Sequence, residues 1–516
     1  MELERRLCSL VGVLCCLFVL VKATGLEFTR SDFPSSFVFG SATSAYQVEG
    51  AAYEDGRTPS IWDMFTHQGM MPDKSTGDVA ADGYHKYKDD VKLMADMGLE
   101  AYRFSISWSR LIPDGTGDPN PAGLEYYNNL IDELVKHGIQ VHVMLYQLDL
   151  PEILQDEYGG WMSPEIIDDF TAYADVCFRE FGNRVKYWTT LAEPNIISLA
   201  GYDQGSWPPS QCSKPFGVVN CTSGNSTVEP YVVMHNLLLS HASVYNLYRN
   251  NYYVTQKGMV GINVYSFGLL PFSDSAADLK AAQRFRDFFI GWILDPLAFG
   301  HYPSVMREVV GSRLPTFTKQ QSQILKGSFD FIGLNHYMTL YVMDYSNKTN
   351  SGPRDYSADT LVRITDNKNA TPGSQFTPDI RNVEPDPDGL QHMLEYLKKV
   401  YGNPPIYIQE NGRGLASNSS LEDTERTEYV RSYIGGTLTA IRNGVDVRGY
   451  FVWSFIDLFE YMTGYETTFG LFSVDFNSDD LTRRPKHSAH WYSHFIKNNS
   501  TNTTFVLPGG KHLSEQ

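Results

Sequence analysis

The sequence predicts one α/β domain, a single (β/α)8 or TIM barrel with long βα loops, from three observations. Short β-branched or aromatic runs alternate along the chain with amphipathic stretches of helical period. There are eight such runs, and they are apolar enough to be buried on both faces, as parallel strands covered by helices are. No linker divides the 516 residues, which are about twice the ~250 of a minimal barrel, so the loops must be long.

Helical stretches lie between the strand candidates. The strand candidates are residues 38–42, 101–107, 140–146, 187–193, 260–265, 330–337, 405–410 and 448–455. The helical stretches are residues 87–97, 124–136, 166–181, 233–249, 277–288, 390–400 and 426–442. Glycines that follow a helix are expected to form left-handed C-caps, and they are Gly98, Gly138, Gly182, Gly402 and Gly444. The largest loops are predicted at residues 204–230 and 344–385.

Composition and charge restrict the class of protein. The chain is 42% hydrophobic and 13% aromatic, which is typical of a globular protein and not of a disordered, collagen-like or multi-span membrane chain. Its 42 basic and 60 acidic side chains give a net charge of −18. Since no basic patch stands out to match phosphates, nucleic acid is not expected as a partner.

The N-terminus predicts a targeting segment. Arg5 and Arg6 precede an apolar run over residues 7–20, and small residues follow at 23–25, so residues 1–25 are interpreted as a signal peptide with an approximate cleavage site. A membrane anchor is the alternative, but the run is shorter than the ~20 residues of a span. The folded domain is then residues 26–498, and the polar tail 499–516 is expected to be disordered. The mature chain is expected to be secreted, without a membrane contact.

The cysteines and glycosylation sequons agree with secretion. Cys212 and Cys221 flank a polar loop and predict a disulfide, whereas Cys177 lies in a helical pattern and predicts a buried free thiol. Asn-X-Ser/Thr sequons predict N-glycosylated surface loops, and they occur at Asn220, Asn225, Asn347, Asn369, Asn418, Asn498, Asn499 and Asn502.

Two strands of the predicted barrel end in a carboxylate. Glu193 closes the fourth strand candidate and Glu410 closes the seventh, at the barrel end where such folds carry their chemistry. A buried carboxylate is costly unless it is used or paired, so the alternative to catalysis is a structural ion pair. Two carboxylates across one barrel mouth suit glycosidic bond cleavage, in which one protonates the leaving oxygen and the other attacks the anomeric carbon.

From Phe33 to Phe495 the chain resembles the plant β-glucosidases of glycoside hydrolase family 1. The motifs that carry the resemblance occur in barrel order, and they are residues 39–50 (FGSATSAYQVEG), 102–108 (YRFSISW), 189–195 (TTLAEPN), 333–335 (GLN), 410–412 (ENG) and 453–460 (WSFIDLFE). The resemblance implies a retaining β-glycosidase that acts on β-D-glucosides or related plant glycoconjugates. The predicted signal peptide implies the secretory pathway, with the cell wall, another extracellular space or the vacuole as the destination.

The resemblance also assigns roles to residues. It implies that Glu193 is the acid/base and Glu410 the nucleophile, that Arg103 holds Glu410 ionised, and that Asn335 lies close by. Tyr337 would donate to Glu410, Gln47 and Glu460 would take paired sugar hydroxyls, and Trp453 would form the floor under the ring. The implied substrate-binding set is Gln47, Gln147, Ala192, Tyr337, Trp453, Glu460, Tyr461 and Phe469.

Three positions depart from the family pattern. Gln147 stands where the family usually has histidine, Ala192 where it has asparagine before the acid/base, and Tyr461 where it has tryptophan. In the family these positions serve the C2–C3 edge of the sugar. The departures therefore predict weak activity on ordinary β-glucosides, or a substrate altered at C2 or C3.

Two alternative functions stay open at the level of the sequence. The altered C2–C3 edge is compatible with a hydrolase similar to plant hydroxyisourate hydrolase. The predicted signal peptide and the C-terminus, which is not a peroxisomal signal, argue against that function. A feeble sugar-binding protein is the other alternative, which the retention of both glutamates disfavours. No phosphate-binding glycine loop and no histidine cluster with metal spacing is present, so no cofactor and no metal are expected.

Overall fold

The computed structural model describes residues 28–346, 352–369, 381 and 383–497. The predicted signal peptide and polar tail lie outside the described residues, as do the sequons at Asn347, Asn498, Asn499 and Asn502. Within the described part of the chain, no helix combines the length and the apolar character needed to cross a membrane.

Eight parallel strands form a closed barrel, which confirms the predicted fold class. They are β1 Val38–Ala42, β2 Ala101–Ser105, β3 Gln140–Tyr146, β4 Tyr187–Leu191, β5 Met259–Pro271, β6 Phe331–Asp344, β7 Ile406–Asn411 and β8 Val447–Trp453. Each strand pairs in parallel with its neighbours in sequence, and β1 pairs with β8 to close the ring. All eight predicted strands are found, so every strand directs its C-terminal end to the same mouth.

The helices lie outside the barrel, one major helix after each strand. They are α1 Gly83–Met97, α2 Pro121–Lys136, α3 Ile166–Phe181, α4 Glu229–Leu247, α5 Ala276–Arg286, α6 Pro387–Tyr401, α7 Thr424–Arg442 and α8 His487–Lys497. The predicted helical stretches correspond to α1 through α7. Helix α8 was not predicted, since its aromatic and histidine residues are weak helix formers.

Shorter helices and strands lie in the loops. The short helices are Ala45–Val48, Ile61–His67, Trp108–Leu111, Glu152–Tyr158, Pro194–Tyr202, Tyr253–Gln256, Trp292–Phe299, Ser304–Val310, Lys319–Leu325 and Tyr356–Thr360, with 3-10 turns at Arg30–Asp32, Gly160–Met162 and Gly311–Arg313 and π turns at Tyr248–Tyr252 and Asp287–Gly291. The short strands are Val362–Thr365, Leu415–Ala416, Thr467–Thr468, Phe472–Val474 and Arg483–Pro485.

The apolar stripe of α3 shows how the helices attach to the barrel. Residues at helical spacing on this helix, among them Phe178 and Cys177, are fully buried. The ring of Phe178 packs edge-on against Trp188 of β4, with centroids 5.1 Å apart. Cys177 is a buried free thiol, as its position in the pattern predicts.

One of the five predicted glycine C-caps is wrong. Gly98, Gly138, Gly402 and Gly444 have positive φ angles, but Gly182 has a φ of −69° and a right-handed conformation. The amide of Gln256 lies over Gly182 and donates to the carbonyl of Phe178 at 2.7 Å. A side chain therefore caps the end of α3, and glycine is needed there for close approach.

The loop over residues 204–230 is closed by a disulfide. Cys212 and Cys221 are bonded, with their Cα atoms 5.4 Å apart. The described sequons at Asn220, Asn225, Asn369 and Asn418 are exposed.

Candidate active site

A cleft of about 590 Å³, partly open to solvent, lies at the C-terminal mouth of the barrel. Most of the predicted site residues line it, namely Gln47, Gln147, Glu193, Tyr337, Glu410, Trp453, Glu460, Tyr461 and Phe469. Arg103 and Asn335 are fully buried next to it. Ala192 is fully buried as well and is not among the described residues that line the cleft.

Glu193 lies just beyond β4 and not inside the strand. The strand ends at Leu191, and Glu193 adopts a left-handed conformation with a φ of 48° at the start of the helix Pro194–Tyr202. Its backbone amide donates to Oδ1 of Asn263 at 3.3 Å. This turn, with proline in the first helical turn, directs the carboxyl group of Glu193 into the cleft.

The surroundings of Glu193 favour its protonated form. The residue is only 8% exposed, and its one described side-chain donor, Asn335 Nδ2, which by itself favours the ionised form, donates to Oε1 at 2.6 Å. Burial raises the pKa of the Glu193 carboxyl to about 8, and the nearby Glu410 carboxylate acts in the same direction. At neutral pH Glu193 therefore carries a proton that it can donate.

The carboxyl group of Glu410 accepts hydrogen bonds from three side chains. The guanidinium of Arg103 donates through Nη2 to Oε1 of Glu410, and Gln147 Nε2 donates to the same oxygen at 3.0 Å. Tyr337 donates its hydroxyl to Oε2 at 2.7 Å. Three donors, one of them a cation, thus hold the carboxyl group of Glu410 in place at the end of β7.

A network of buried amides joins the two glutamates. Asn335 of β6 is the register partner of Glu410 in β7, yet its side chain donates to Glu193. Asn263 Nδ2 donates to Asn335 Oδ1 at 2.7 Å and to Gln409 Oε1 at 2.9 Å. Since each amide is fixed by the next, the positions of the two carboxyl groups are set together.

Gln47 and Glu460 form a second polar pair in the lining of the cleft. Gln47 Nε2 donates to the carbonyl of Phe459 at 2.7 Å and lies 3.5 Å from Glu460 Oε2. Glu460 Oε1 is buried, and among the described residues it has no hydrogen-bond partner. The ring of Trp453 also lines the cleft, with its centroid 5.5 Å from the guanidinium carbon of Arg103. An unpaired acceptor beside an aromatic face suits a ligand that carries hydroxyl groups.

Comparison with known proteins identifies the family of this site. The family model for glycosyl hydrolase family 1 matches residues 29–501 of the chain. The chain belongs to glycosyl hydrolase family 1. The fold class and the resemblance predicted from the sequence are thereby confirmed.

Relatives with similar sequences are plant enzymes of this family. β-Glucosidase 22 of Oryza sativa subsp. japonica is 61% identical over 477 residues, covering 92% of this chain and 89% of the relative. A cyanidin 3-O-glucoside 7-O-glucosyltransferase (acyl-glucose) of Delphinium grandiflorum is 55% identical over 475 residues, covering 92% of this chain and 91% of the relative. The solved structure of a rice β-glucosidase mutant in a covalent complex with glucose is 44% identical with a TM-score of 0.87, and the match covers 91% of this chain and 100% of that chain.

The family membership makes the chain a glycoside hydrolase. Family 1 is the β-glucosidase family that hydrolyses β-glucosides, and hydrolysis with retention of configuration is general in it. A glycoside is accordingly the substrate of the cleft.

The three positions that depart from the family 1 pattern lie close to one another. The amide of Gln147 contacts Arg103 and Glu410, while its backbone carbonyl accepts the hydroxyl of Tyr461 at 3.2 Å. The ring of Tyr461 lines the cleft and packs on Trp62 with centroids 4.3 Å apart. The backbone amide of Ala192 donates to the carbonyl of Tyr146 at 2.9 Å, so Ala192 joins β4 to β3.

Some residues that line the cleft were not predicted, namely Leu148, Trp207, Tyr265 and Met462. Tyr265 stacks on Tyr337 with centroids 5.9 Å apart, and Trp207 packs against Tyr461 at 5.8 Å. Tyr265 ends the fifth strand candidate, so its position at a C-terminal strand end was a usable signal. Trp207 lies in the long loop after β4, where an aromatic residue has no comparable signal.

Proposed function

We propose that the chain is a retaining β-glycosidase in which Glu193 is the acid/base and Glu410 the nucleophile. The observation that carries this proposal is the different surroundings of two glutamates in one cleft. Burial raises the pKa of Glu193, while Arg103, Gln147 and Tyr337 each donate a hydrogen bond to Glu410. This division of labour is what a double-displacement mechanism requires.

The first step forms a covalent intermediate. A carboxylate oxygen of Glu410 attacks the anomeric carbon, the bond to the aglycone oxygen breaks, and its electron pair takes the proton of Glu193. In the second step Glu193 removes a proton from water, the water oxygen bonds to the anomeric carbon, and Glu410 leaves as a carboxylate. Two inversions give net retention.

Covalent trapping tests the assignment of the nucleophile. The protein is incubated with 2-deoxy-2-fluoro-β-glucosyl fluoride, digested and analysed by mass spectrometry. The expected result is a fluoroglucosyl adduct on the peptide that contains Glu410. An adduct on a different carboxylate, or full hydrolytic activity in Glu410→Gln, would contradict the proposal.

We propose further that the selectivity of the enzyme at C2 and C3 of the sugar is shifted. Gln147 uses its amide on Arg103 and Glu410, and Ala192 has no polar side chain. Both observations support a C2–C3 edge with fewer free donors than the family pattern provides. Interactions with the 2-hydroxyl contribute several kcal/mol at the transition state, and about 3 kcal/mol corresponds to roughly a hundredfold in rate.

A substrate pair tests this selectivity. Activity is compared on a β-glucoside and its 2-deoxy analogue, in this enzyme and in a family 1 enzyme that has asparagine at the position of Ala192. The 2-deoxy change is expected to cost this enzyme less, and Ala192→Asn is expected to raise turnover of the parent glucoside. Equal penalties in both enzymes, or no gain in Ala192→Asn, would count against the shift.

Transfer of the sugar to an acceptor other than water is a second candidate. The Delphinium relative is named as a glucosyltransferase that uses acyl-glucose. The aromatic rings of Trp207 and Tyr265 along the cleft support binding of an aromatic acceptor. Chromatography of reactions with a phenolic alcohol would test this, since a transfer enzyme forms more glucosylated acceptor than free glucose. The relatives add no support to hydroxyisourate hydrolysis or to sugar binding alone.

Secretion is the remaining part of the proposal. The Cys212–Cys221 disulfide and the exposed sequons at Asn220, Asn225, Asn369 and Asn418 support passage through an oxidising compartment, with the cell wall, other extracellular space or vacuole as destination. Expression in plant cells followed by N-glycosidase digestion is expected to lower the apparent mass. An unchanged mass, with the protein retained in the cytosol, would refute it.

A further inference from the structure

The side-chain amide of Gln147 lies between Arg103 and Glu410. Its Oε1 accepts from Arg103 Nη1 at 2.5 Å, and its Nε2 donates to Glu410 Oε1 at 3.0 Å. Arg103 Nη2 donates to the same carboxylate oxygen, so the three side chains close a ring of hydrogen bonds. Gln147 and Glu410 are each 4% exposed and Arg103 is 0% exposed.

The chemistry of an amide suits this position. A guanidinium has donors only and an ionised carboxylate has acceptors only, whereas the amide of Gln147 carries one acceptor and one donor group on neighbouring atoms. The neutral imidazole that family 1 usually has here carries its donor and acceptor on two ring nitrogens that point in different directions. It cannot close the same ring with Arg103 and Glu410.

Each polar group of the Gln147 amide therefore makes one hydrogen bond within the protein. Hydrogen bonds to ionised groups are stronger than those between neutral groups, and burial strengthens them further. The donor from Gln147 is bound to the oxygen that also accepts from Arg103, while Tyr337 binds the other oxygen of Glu410. The amide thus acts on the orientation of the Glu410 carboxyl group.

We propose that Gln147 is a positioning residue for Glu410 and that it does not act as a ligand of the sugar's 3-hydroxyl. This inference rests on the proposed role of Glu410 as nucleophile. It identifies Gln147 as a side chain that fixes the position of the Glu410 carboxylate. Gln147 orients the carboxylate for attack on the anomeric carbon. It also stabilises the same carboxylate when the covalent intermediate breaks and Glu410 leaves.

The first test separates attack by Glu410 from acid catalysis. The rate of covalent labelling by 2-deoxy-2-fluoro-β-glucosyl fluoride is measured on intact protein, because fluoride leaves without a proton from Glu193. Gln147→Met keeps the length of the side chain and removes both hydrogen bonds. Labelling and kcat/KM on an aryl β-glucoside are expected to fall together by about ten- to a hundredfold. The matched control Gln391→Met, on the outer helix α6, is expected to change neither rate.

The second test asks whether Gln147 acts through the sugar. The kcat/KM of wild type and of Gln147→Met is measured on an aryl β-glucoside and on its 3-deoxy analogue. The four values form a double cycle that combines the enzyme substitution with the substrate change. If Gln147 positions Glu410, the variant loses the same factor on both substrates. A loss that disappears on the 3-deoxy substrate overturns the inference, because it would mean that Gln147 binds the 3-hydroxyl.

A second variant, Gln147→Glu, tests the same role if Gln147→Met does not fold. It retains an acceptor for Arg103 but removes the donor to Glu410 and adds a second carboxyl group beside it. Labelling is expected to be slower than in wild type by more than a hundredfold. Labelling at the wild-type rate in either variant overturns the inference.

The failure of this inference differs from the failure of the proposed function. If wild type is labelled on Glu410 and the Gln147 variants are labelled equally fast, only the role of Gln147 is wrong. If wild type is labelled on another residue, the assignment of the nucleophile is wrong, and the inference about Gln147 is overturned with it.

Discussion

Glu193 and Glu410 line the same cleft, but the groups that bind them differ in number and charge. One neutral amide, from Asn335, donates to Glu193, whereas a guanidinium, an amide and a phenol donate to Glu410. Both side chains are almost fully buried, at 8% and 4% exposed. Two carboxyl groups that are buried to a similar degree therefore have different hydrogen-bond partners, and the charged donor Arg103 distinguishes the surroundings of Glu410 from those of Glu193.

The largest expected effect is the loss of the nucleophile. Glu410→Gln keeps the shape of the side chain and its contact with Tyr337 but removes the negative charge that attacks the anomeric carbon. We expect kcat on an aryl β-glucoside to fall by about 10⁴-fold or more, as measured by release of the phenol. Thermal unfolding of the variant serves as the control for folding. Activity within tenfold of wild type would mean that the two glutamates do not differ in role.

The contrast between the two glutamates was only partly predictable from the sequence. Placing them at the ends of two barrel strands followed from the cost of burying a carboxylate on an apolar strand. Their hydrogen-bond partners come from other strands, up to 307 positions away in the case of Arg103 and Glu410, so only the family resemblance indicated them. The predicted strand extends to residue 193, two residues beyond the observed end of β4, because a periodic pattern does not detect the left-handed turn at Glu193.

The aromatic side of the cleft and the role of Gln147 were harder to predict. A tryptophan in a long loop, such as Trp207, has the same sequence signal whether it packs in a core or contacts a ligand. Gln147 was expected at the sugar because the family places a ligand there. Its amide forms hydrogen bonds of 3.0 Å or less with Arg103 and Glu410. No sequence pattern encodes the side-chain positions that make these bonds possible.

The second prediction concerns the proton on Glu193. Burial raises the pKa of Glu193 to about 8, so the acid is protonated below that pH and kcat/KM is expected to fall as the pH rises through it. Glu193→Gln is expected to lower kcat/KM by about 10²- to 10⁴-fold on substrates with a poor leaving group and to abolish this basic limb. A dinitrophenyl glucoside, which needs little acid assistance, is the matched control substrate. An unchanged basic limb in the variant would assign the proton to another group.

The smallest expected effect comes from the hydrogen bond that Asn335 donates to Glu193. The hydrogen bond from Asn335 favours the ionised form and so lowers the pKa of Glu193, against the larger opposing effect of burial. Asn335→Ala removes this donor, so the basic limb of kcat/KM is expected to move to higher pH by about half to one unit. The pH profile of kcat/KM on an alkyl glucoside measures the shift, and labelling by the fluoroglucosyl fluoride controls for disturbance of Glu410. A shift to lower pH would mean that Asn335 stabilises the protonated acid, and the difference in donors would then not explain why the two carboxyl groups behave differently.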